Sequence, residues 1–248
     1  YPDIDKIVWN VEALMTRGED LKGLKFIITA GPTREHIDPI RFISNPSSGT
    51  MGVSLANEAY FRGADVSLIY GPMCPKVQPY VKRLISVETT EEMLSAVISE
   101  LQGISELSIL ILAGAPADFK FAEIHNVKID SHKSIPEVKL TLTPKISRII
   151  KEKFGNKVFL VGFSAETVDA DEELIKRAKE KLSYHSFNMI ITNNVKRKDI
   201  GFSSEYNEVY ILTDDGNTIK IPKTHKSIVA RRILDIVKEE FKKWSSKT

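Results

Sequence analysis

The sequence predicts an α/β fold: a Rossmann-like, doubly wound, mostly parallel sheet with an inserted β flap and a C-terminal β-hairpin. Three observations predict it. Short apolar runs recur at residues 26–30, 66–70, 107–113, 157–163 and 189–192, and near-continuous apolar runs suit strands buried on both faces of a parallel sheet. Stretches of helical periodicity fill the connections, which makes βαβ units with right-handed crossovers. Small residues follow the strands, as Gly31-Pro32, Gly71-Pro72 and Gly114-Ala115-Pro116, at the carboxyl ends where open sheets bind ligands.

In chain order, residues 1–23 read as an N-terminal helix, over about 5–15, and a polar linker; residues 24–248 read as one α/β domain. After the strand at 26–30, the helix at 51–62 places Val53, Leu55, Ala56, Ala59 and Tyr60 on its inner face and stops at Gly63, as a glycine C-cap should. A strand at 66–70 follows, then one at 81–87. The helix at 90–102 is capped by Thr89 or Thr90 with Glu91 and Glu92 beside it. A buried strand at 107–113 closes the first half. The segment 119–142 breaks the alternation: it is rich in lysine, and 126–130 and 137–142 each alternate like a half-exposed strand, so two flap strands are predicted there. A helix at 144–154, a strand at 157–163, a charged helix at 170–183 and a strand at 189–192 resume the pattern. Within an extension at 201–222, the strands 207–213 and 217–221 join through Asp214-Asp215-Gly216, and Asp-Gly tolerates the positive φ of a tight turn. An amphipathic helix at 227–244 ends the domain.

Composition narrows the function. With 248 residues, 42% of them hydrophobic, the chain can bury a substantial core. The 35 basic and 33 acidic residues leave a net charge of +2, so no overall field draws the chain to nucleic acid or to a membrane surface. No apolar run approaches the ~20 residues of a membrane span, and no signal-peptide pattern opens the chain; a cytoplasmic setting is expected. Cys74, the single cysteine, allows neither an internal disulfide nor a cysteine zinc site. The five histidines show no metal-ligand spacing. The first strand is followed by Gly31 and then no glycine until Gly49, which lacks the dinucleotide fingerprint and weakens a nicotinamide oxidoreductase reading; the phosphate-loop and nucleophile-elbow motifs are missing as well.

The connection after the first strand is the densest polar stretch, with Arg34, His36, Asp38, Arg41, Ser44, Asn45, Ser47 and Ser48. Ser47-Ser48-Gly49 at a helix start offers hydroxyls, first-turn N–H groups and the positive end of the helix dipole, a setting suited to an anion. An ordinary N-cap accounts for the same residues equally well.

From Ile28-Thr29-Ala30-Gly31-Pro32-Thr33-Arg34-Glu35 through Ile37-Asp38-Pro39-Ile40-Arg41-Phe42-Ile43-Ser44-Asn45 to Ser47-Ser48-Gly49-Thr50-Met51-Gly52, the sequence closely resembles phosphopantothenate–cysteine ligases. The likeness continues through Gly114-Ala115-Pro116-Ala117-Asp118, Thr143-Pro144-Lys145-Ile146, Gly162-Phe163-Ser164-Ala165-Glu166-Thr167 and Thr192-Asn193-Asn194-Val195, so it spans nearly the whole chain. The resemblance implies a ligase that activates the carboxylate of 4′-phosphopantothenate with CTP or ATP and Mg²⁺, then joins it to cysteine in coenzyme A synthesis. It implies a homodimer and a fused or associated flavin-dependent phosphopantothenoylcysteine decarboxylase ahead of this segment. It assigns Lys128 to the reacting phosphate and Asn45 to the activated acyl intermediate, with Arg41, Ser48 and Gly49 on the substrate side. Nucleotide contacts fall on Gly31, Thr33, Ala113, Gly114, Ala115, Asp118, Lys128, Thr143, Pro144, Lys145, Ile146, Phe163, Lys181 and His185. His185 stands where many members carry a second lysine, and Asn194 replaces a usual aspartate, which leaves CTP and ATP both open. An inactive homologue that regulates a decarboxylase is the remaining alternative, and the retention of Asn45 and Lys128 speaks against it. The flap and the Asp215-Gly216 hairpin are expected as dimer or lid elements, since two-stranded pieces are marginal unless packed.

Overall fold

A computed structural model describes residues 3–103, 106–130, 137–197, 199–201 and 204–247. In chain order the elements are α1 (Ile4–Thr16), β1 (Lys25–Ala30), β2 (Arg34–His36), β3 (Phe42–Ser44), α2 (Thr50–Phe61), β4 (Asp65–Tyr70), β5 (Arg83–Ser86), α3 (Thr90–Gln102), β6 (Ser108–Leu112), β7 (Phe119–Phe121), β8 (Leu140–Leu142) and α4 (Ile146–Phe154). A turn of 3₁₀ helix (Gly155–Lys157) leads into β9 (Val158–Glu166), α5 (Asp171–Tyr184), β10 (Met189–Asn194), β11 (Tyr206–Thr213), β12 (Thr218–His225) and α6 (Lys226–Ser245).

Eight strands form one sheet in the order β12-β11-β10-β9-β6-β1-β4-β5. The run from β10 to β5 is parallel, and β11 and β12 add an antiparallel edge. Period-two alternation sends Phe26, Ile28 and Ala30 of β1 to the face covered by α2 and α6, and Ile27 to the face covered by α3, α4 and α5. This is the doubly wound sheet the sequence predicts. Strand order reverses between β1 and β6: the chain first builds outward to β4 and β5, then returns to the other side of β1. A crevice opens at such a switch point, beyond the carboxyl ends of the strands.

Helix α2 lies in the middle of the molecule, so its polar residues are buried along with its apolar ones. A side chain at Gly52 would place its Cβ 2.6 Å from that of Ala30, so glycine sets how closely the helix approaches β1. The linker is docked as well: Arg62, fully buried, donates from Nε and Nη2 to Asp20 at 2.8 Å each and pairs with Asp235 of α6 at 3.0 Å.

Two predicted elements differ. Residues 126–130 form no strand. Their backbone is held by the 37–41 loop instead: His125 N–H donates to the Ile37 carbonyl (2.8 Å), Ile129 N–H to Asp38 Oδ2 (3.1 Å), and Arg41 Nη2 to the Ile129 carbonyl (2.7 Å). The alternation reads as a strand, but the amide of Ile129 finds a carboxylate rather than a neighbouring strand. The flap pairs β7 with β8; its residues 131–136 lie outside the described residues. The Asp215-Gly216 hairpin is no free lid either, because β11 pairs with β10 and α6 packs on both hairpin strands. Its outer strand carries Lys220, Pro222 and Lys223, which discourage further pairing along an exposed edge. Among the described residues no helix is long and apolar enough to cross a membrane.

Candidate functional site

At the switch point between β1 and β6 lies a cleft of about 700 Å³. Its first wall is the connection 45–52, its floor the 113–118 turn after β6, and its second wall the 143–147 turn, the end of β9 and the last turn of α5.

The first wall is built from backbone and small polar groups. Gly49 caps α2 at φ 77°, with no side-chain cap of its own, and a Cβ there would lie 2.2 Å from Met73 Sδ. The flanking hydroxyls finish the turn: Ser47 Oγ accepts from Gly49 N–H (3.3 Å), Ser48 Oγ accepts from Thr50 N–H (3.4 Å), and Ser48 and Thr50 pair their hydroxyls at 2.9 Å. The expected serine cap is therefore displaced by one position, and glycine takes it because the left-handed φ favours it. Asn45 Nδ2 donates to the carbonyls of Ala115 (3.2 Å) and Pro116 (3.0 Å). Since both partners are carbonyls, the amide nitrogen must face them, and Oδ1 is the atom left to accept from a ligand.

The floor is braced from beneath. Ala115 N–H donates to the Gly31 carbonyl (2.8 Å), Ala117 N–H to Thr33 Oγ1 (2.9 Å), and Gly114 N–H to Thr29 Oγ1 (2.9 Å).

The second wall is cationic. Lys145 is ion-paired with Asp118, and Lys181 with Glu166. Lys181 also donates to Ser164 Oγ at 3.0 Å. Burial alone would raise the Glu166 carboxyl, but hydrogen bonds from Lys181 and Ser164 outweigh it and hold the group below its ordinary value. His185 stacks on Phe187, with ring centroids 5.1 Å apart, and its Nδ1 shares a 2.7 Å hydrogen bond with Ser147 Oγ. Burial, then the charges of Lys145, Lys181 and Arg148, push its pKa below the usual histidine value. The ring is therefore neutral at pH 7.

Of the residues singled out in the sequence, Asn45, Ser48, Gly49, Ala113, Gly114, Ala115, Asp118, Thr143, Pro144, Lys145, Ile146, Phe163, Lys181 and His185 all line the cleft. Four do not. Gly31 and Thr33 lie behind the floor, where Thr33 is fully buried and braces the 113–118 turn. Arg41 points to the flap, at the Ile129 carbonyl. Lys128 is exposed on the flap and outside the cleft. Conversely, sequence reasoning missed Lys226, which lines the cleft although only 3% exposed and donates from Nζ to the Gly201 carbonyl at 2.7 Å. Burial and the nearby Lys76 push its pKa down to about 8. Its signal was available: a lysine in the first turn of a helix opposes the helix dipole. Ser147 escaped notice because only the fold brings it to His185.

Residues 21–241 match the family described as the DNA/pantothenate metabolism flavoprotein C-terminal domain. The coenzyme A biosynthesis bifunctional protein CoaBC of Thermococcus kodakarensis is 40% identical over 236 residues, covering 95% of this chain and 56% of that protein. The Escherichia coli protein of the same name is 35% identical over 219 residues, covering 87% and 52%. The chain thus spans about half the length of the curated relatives it matches. The crystal structure of the C-terminal domain of a CoaBC protein superimposes with a TM-score of 0.73 at 32% identity, covering 91% of this chain and 99% of that one. A Cab2 mutant in complex with phosphopantothenate-cysteine shares the fold, with a TM-score of 0.72 at 19% identity. With a family match running from the linker to the last turns of α6, the chain belongs to the family of DNA/pantothenate metabolism flavoprotein C-terminal domains.

Proposed function

We propose that the chain is a phosphopantothenate–cysteine ligase, acting in the cytoplasm. It uses CTP or ATP to convert the carboxylate of 4′-phosphopantothenate into an acyl-nucleotidyl anhydride with release of pyrophosphate. The amine of cysteine then displaces the nucleoside monophosphate and forms the amide. The observation that carries this reading is the opposition of the two walls across one cleft. One wall presents oriented small polar groups for an acyl substrate, and the other presents cations for a polyphosphate. The bifunctional coenzyme A biosynthesis relatives and the phosphopantothenate-cysteine complex of a protein with this fold support it.

In the first step the carboxylate oxygen bonds to the α-phosphorus while the bond to the pyrophosphate oxygen breaks, so negative charge gathers on transferring and leaving oxygens. Lys145 and Lys181 would stabilise such charge, and Phe163 gives the nucleotide an apolar surface. In the second step the amine nitrogen bonds to the acyl carbon, the carbon–oxygen bond to the nucleotide breaks, and the amine loses a proton. Asn45 Oδ1, its amide nitrogen fixed by two carbonyls, accepts from a donor on the acyl chain and holds the intermediate still. Among the described residues Asp118 is the single carboxylate lining the cleft, and they hold no cluster of three metal-ligating side chains. Magnesium would enter this cleft as a companion of the triphosphate, with Asp118 the carboxylate at hand.

Lys128 lies outside its own cleft, so its part at the reacting phosphate requires the flap to move or a second copy to supply it. A homodimer offers the second route. The flavoprotein family and the bifunctional relatives support a flavin-dependent decarboxylase as a fused or associated partner.

The test is pyrophosphate release from 4′-phosphopantothenate, Mg²⁺ and CTP or ATP, with and without cysteine. Release with one nucleotide, followed by a cysteine-dependent amide product, is the expected result and names the nucleotide. No release with either, from a folded chain, overturns the reading.

A further inference from the structure

Helix α1 has two opposite faces. The inner face is fixed to the domain: Trp9 Nε1 donates to Glu58 Oε2 at 2.8 Å, Glu12 Oε2 accepts from Arg231 Nη2 at 3.0 Å, and Ala13 is fully buried. Glu58 is itself buried and takes Arg231 Nε on its other oxygen at 3.1 Å. These contacts from α2 and α6 hold the helix in one orientation. The outer face carries Ile4, Ile7, Val8, Val11, Leu14 and Met15, from 43% exposed at Ile7 to 83% at Met15. At 100° per residue the six fall within an arc of about 120°. That is the stripe of a helix packed against a core, and here it faces solvent.

The occupant follows from what stands on the N-terminal side of such domains. The matched family is the C-terminal domain of a flavoprotein, the Thermococcus relative is covered over only 56% of its length, and α1 lies ahead of the residues, 21–241, that match the family. A second copy is the poorer fit, because one face of a 13-residue helix offers less than the ~800 Å² per partner of a standard interface. A covalently joined module needs less area, since its effective concentration is of order mM.

We propose that the outward face of α1 is the seat of an N-terminal flavin-binding module, so that one helix is packed between both halves and fixes how they meet. This rests on the partner given under the proposed function, and not on the ligase chemistry.

The test is hydrogen exchange over residues 4–16. It is measured in this chain at two concentrations, and in a protein with the N-terminal portion of the Thermococcus relative joined ahead of Tyr1, flavin absorbance showing that portion to be folded. Exchange slows at least tenfold in the joined protein. Val8→Glu with Val11→Glu restores the rate of the separate chain, and pyrophosphate release stays unchanged in both. Unchanged exchange in the flavin-loaded joined protein overturns the proposal. Slowing in the separate chain as its concentration rises gives the face to a second copy, which also overturns it. Failure of the ligase reading registers separately, as absent pyrophosphate release on the same samples.

Discussion

The two walls of the cleft are built on different principles. The 45–52 wall is finished before any ligand arrives: its amide and hydroxyl groups are aimed by bonds to backbone, as when Asn45 is held by Ala115 and Pro116. The 143–185 wall carries its charges already neutralised, Lys145 by Asp118 and Lys181 by Glu166. The first wall is preorganised, and an entering ligand finds dipoles that need not move. On the second, the proposed triphosphate would have to take each cation from a resident carboxylate. Orientation thus belongs to one side and exchange of partners to the other, and changes on the two sides should fail in different ways.

The largest expected effect is on the preorganised side. Asn45→Asp replaces a donor by a carboxylate facing two carbonyl oxygens, so the side chain must turn away. We expect the rate of amide formation to fall about 10²–10³-fold, the scale of losing one oriented group at a reacting centre, with pyrophosphate release less affected. Equal loss of both steps, measured in single turnover, would break the assignment of Asn45 to the second step.

Lys226 sharpens the comparison, because it is a nearly buried cation lining the same cleft that donates to a backbone carbonyl, that of Gly201. Its ammonium is held down to about 8 from an ordinary 10.5 by burial and by Lys76. The folded state loses the proton first. Between pH 8 and 10.5 the unfolded chain binds more protons, so this group's contribution to stability is complete above 10.5 and is lost as pH falls to about 8. The difference is of order 3 kcal/mol. Urea unfolding at pH 8 and 10 should show the rise, and Lys226→Met should remove it.

On the exchanging side, Glu166→Gln removes the competitor for Lys181. Glu166 is buried and Lys181 is partly exposed; a half-exposed pair of this kind is worth about 1 kcal/mol. Nucleotide affinity should therefore improve about fivefold by calorimetry. Weakened affinity would show that Glu166 acts mainly to hold Lys181 in place, and would bring the two walls closer in principle.

These contrasts also mark what sequence could carry. The sheet was legible because runs such as 26–30 and 107–113 are apolar on both faces and end in small residues. The floor and both walls were legible through Asn45, the 113–118 turn and Lys181. The flap was misread at 126–130, where period-two alternation coincides with a loop that a carboxylate 91 residues away, Asp38, satisfies through Ile129 N–H. Thr33 and Gly31 sit in the same motif as Asn45, but strand direction turns them behind the floor. Lys226 joins the cleft from a helix that looked purely structural. Motif membership brings residues to one end of the sheet, while the side that each presents is decided by long-range pairing.

The smallest expected effect is at His185, where the second wall has a neutral group among cations. Burial, then the charges of Lys145, Lys181 and Arg148, depress its pKa, with Asp118 opposing, so the neutral ring is favoured. A bound polyphosphate reverses the balance: added negative charge favours the imidazolium and raises its pKa. Nucleotide binding should then take up a fraction of a proton and tighten as pH falls below neutrality. Calorimetry in two buffers of different ionisation enthalpy measures the uptake directly. His185→Lys should abolish the uptake and flatten the pH dependence, since a lysine, even half-buried, would stay charged across that range. Ser147→Ala leaves the ring but removes the partner of Nδ1, and should keep the proton uptake while shifting its midpoint. If His185→Lys leaves the pH dependence intact, the titrating group is elsewhere, and the second wall answers a ligand by exchange of ion pairs alone.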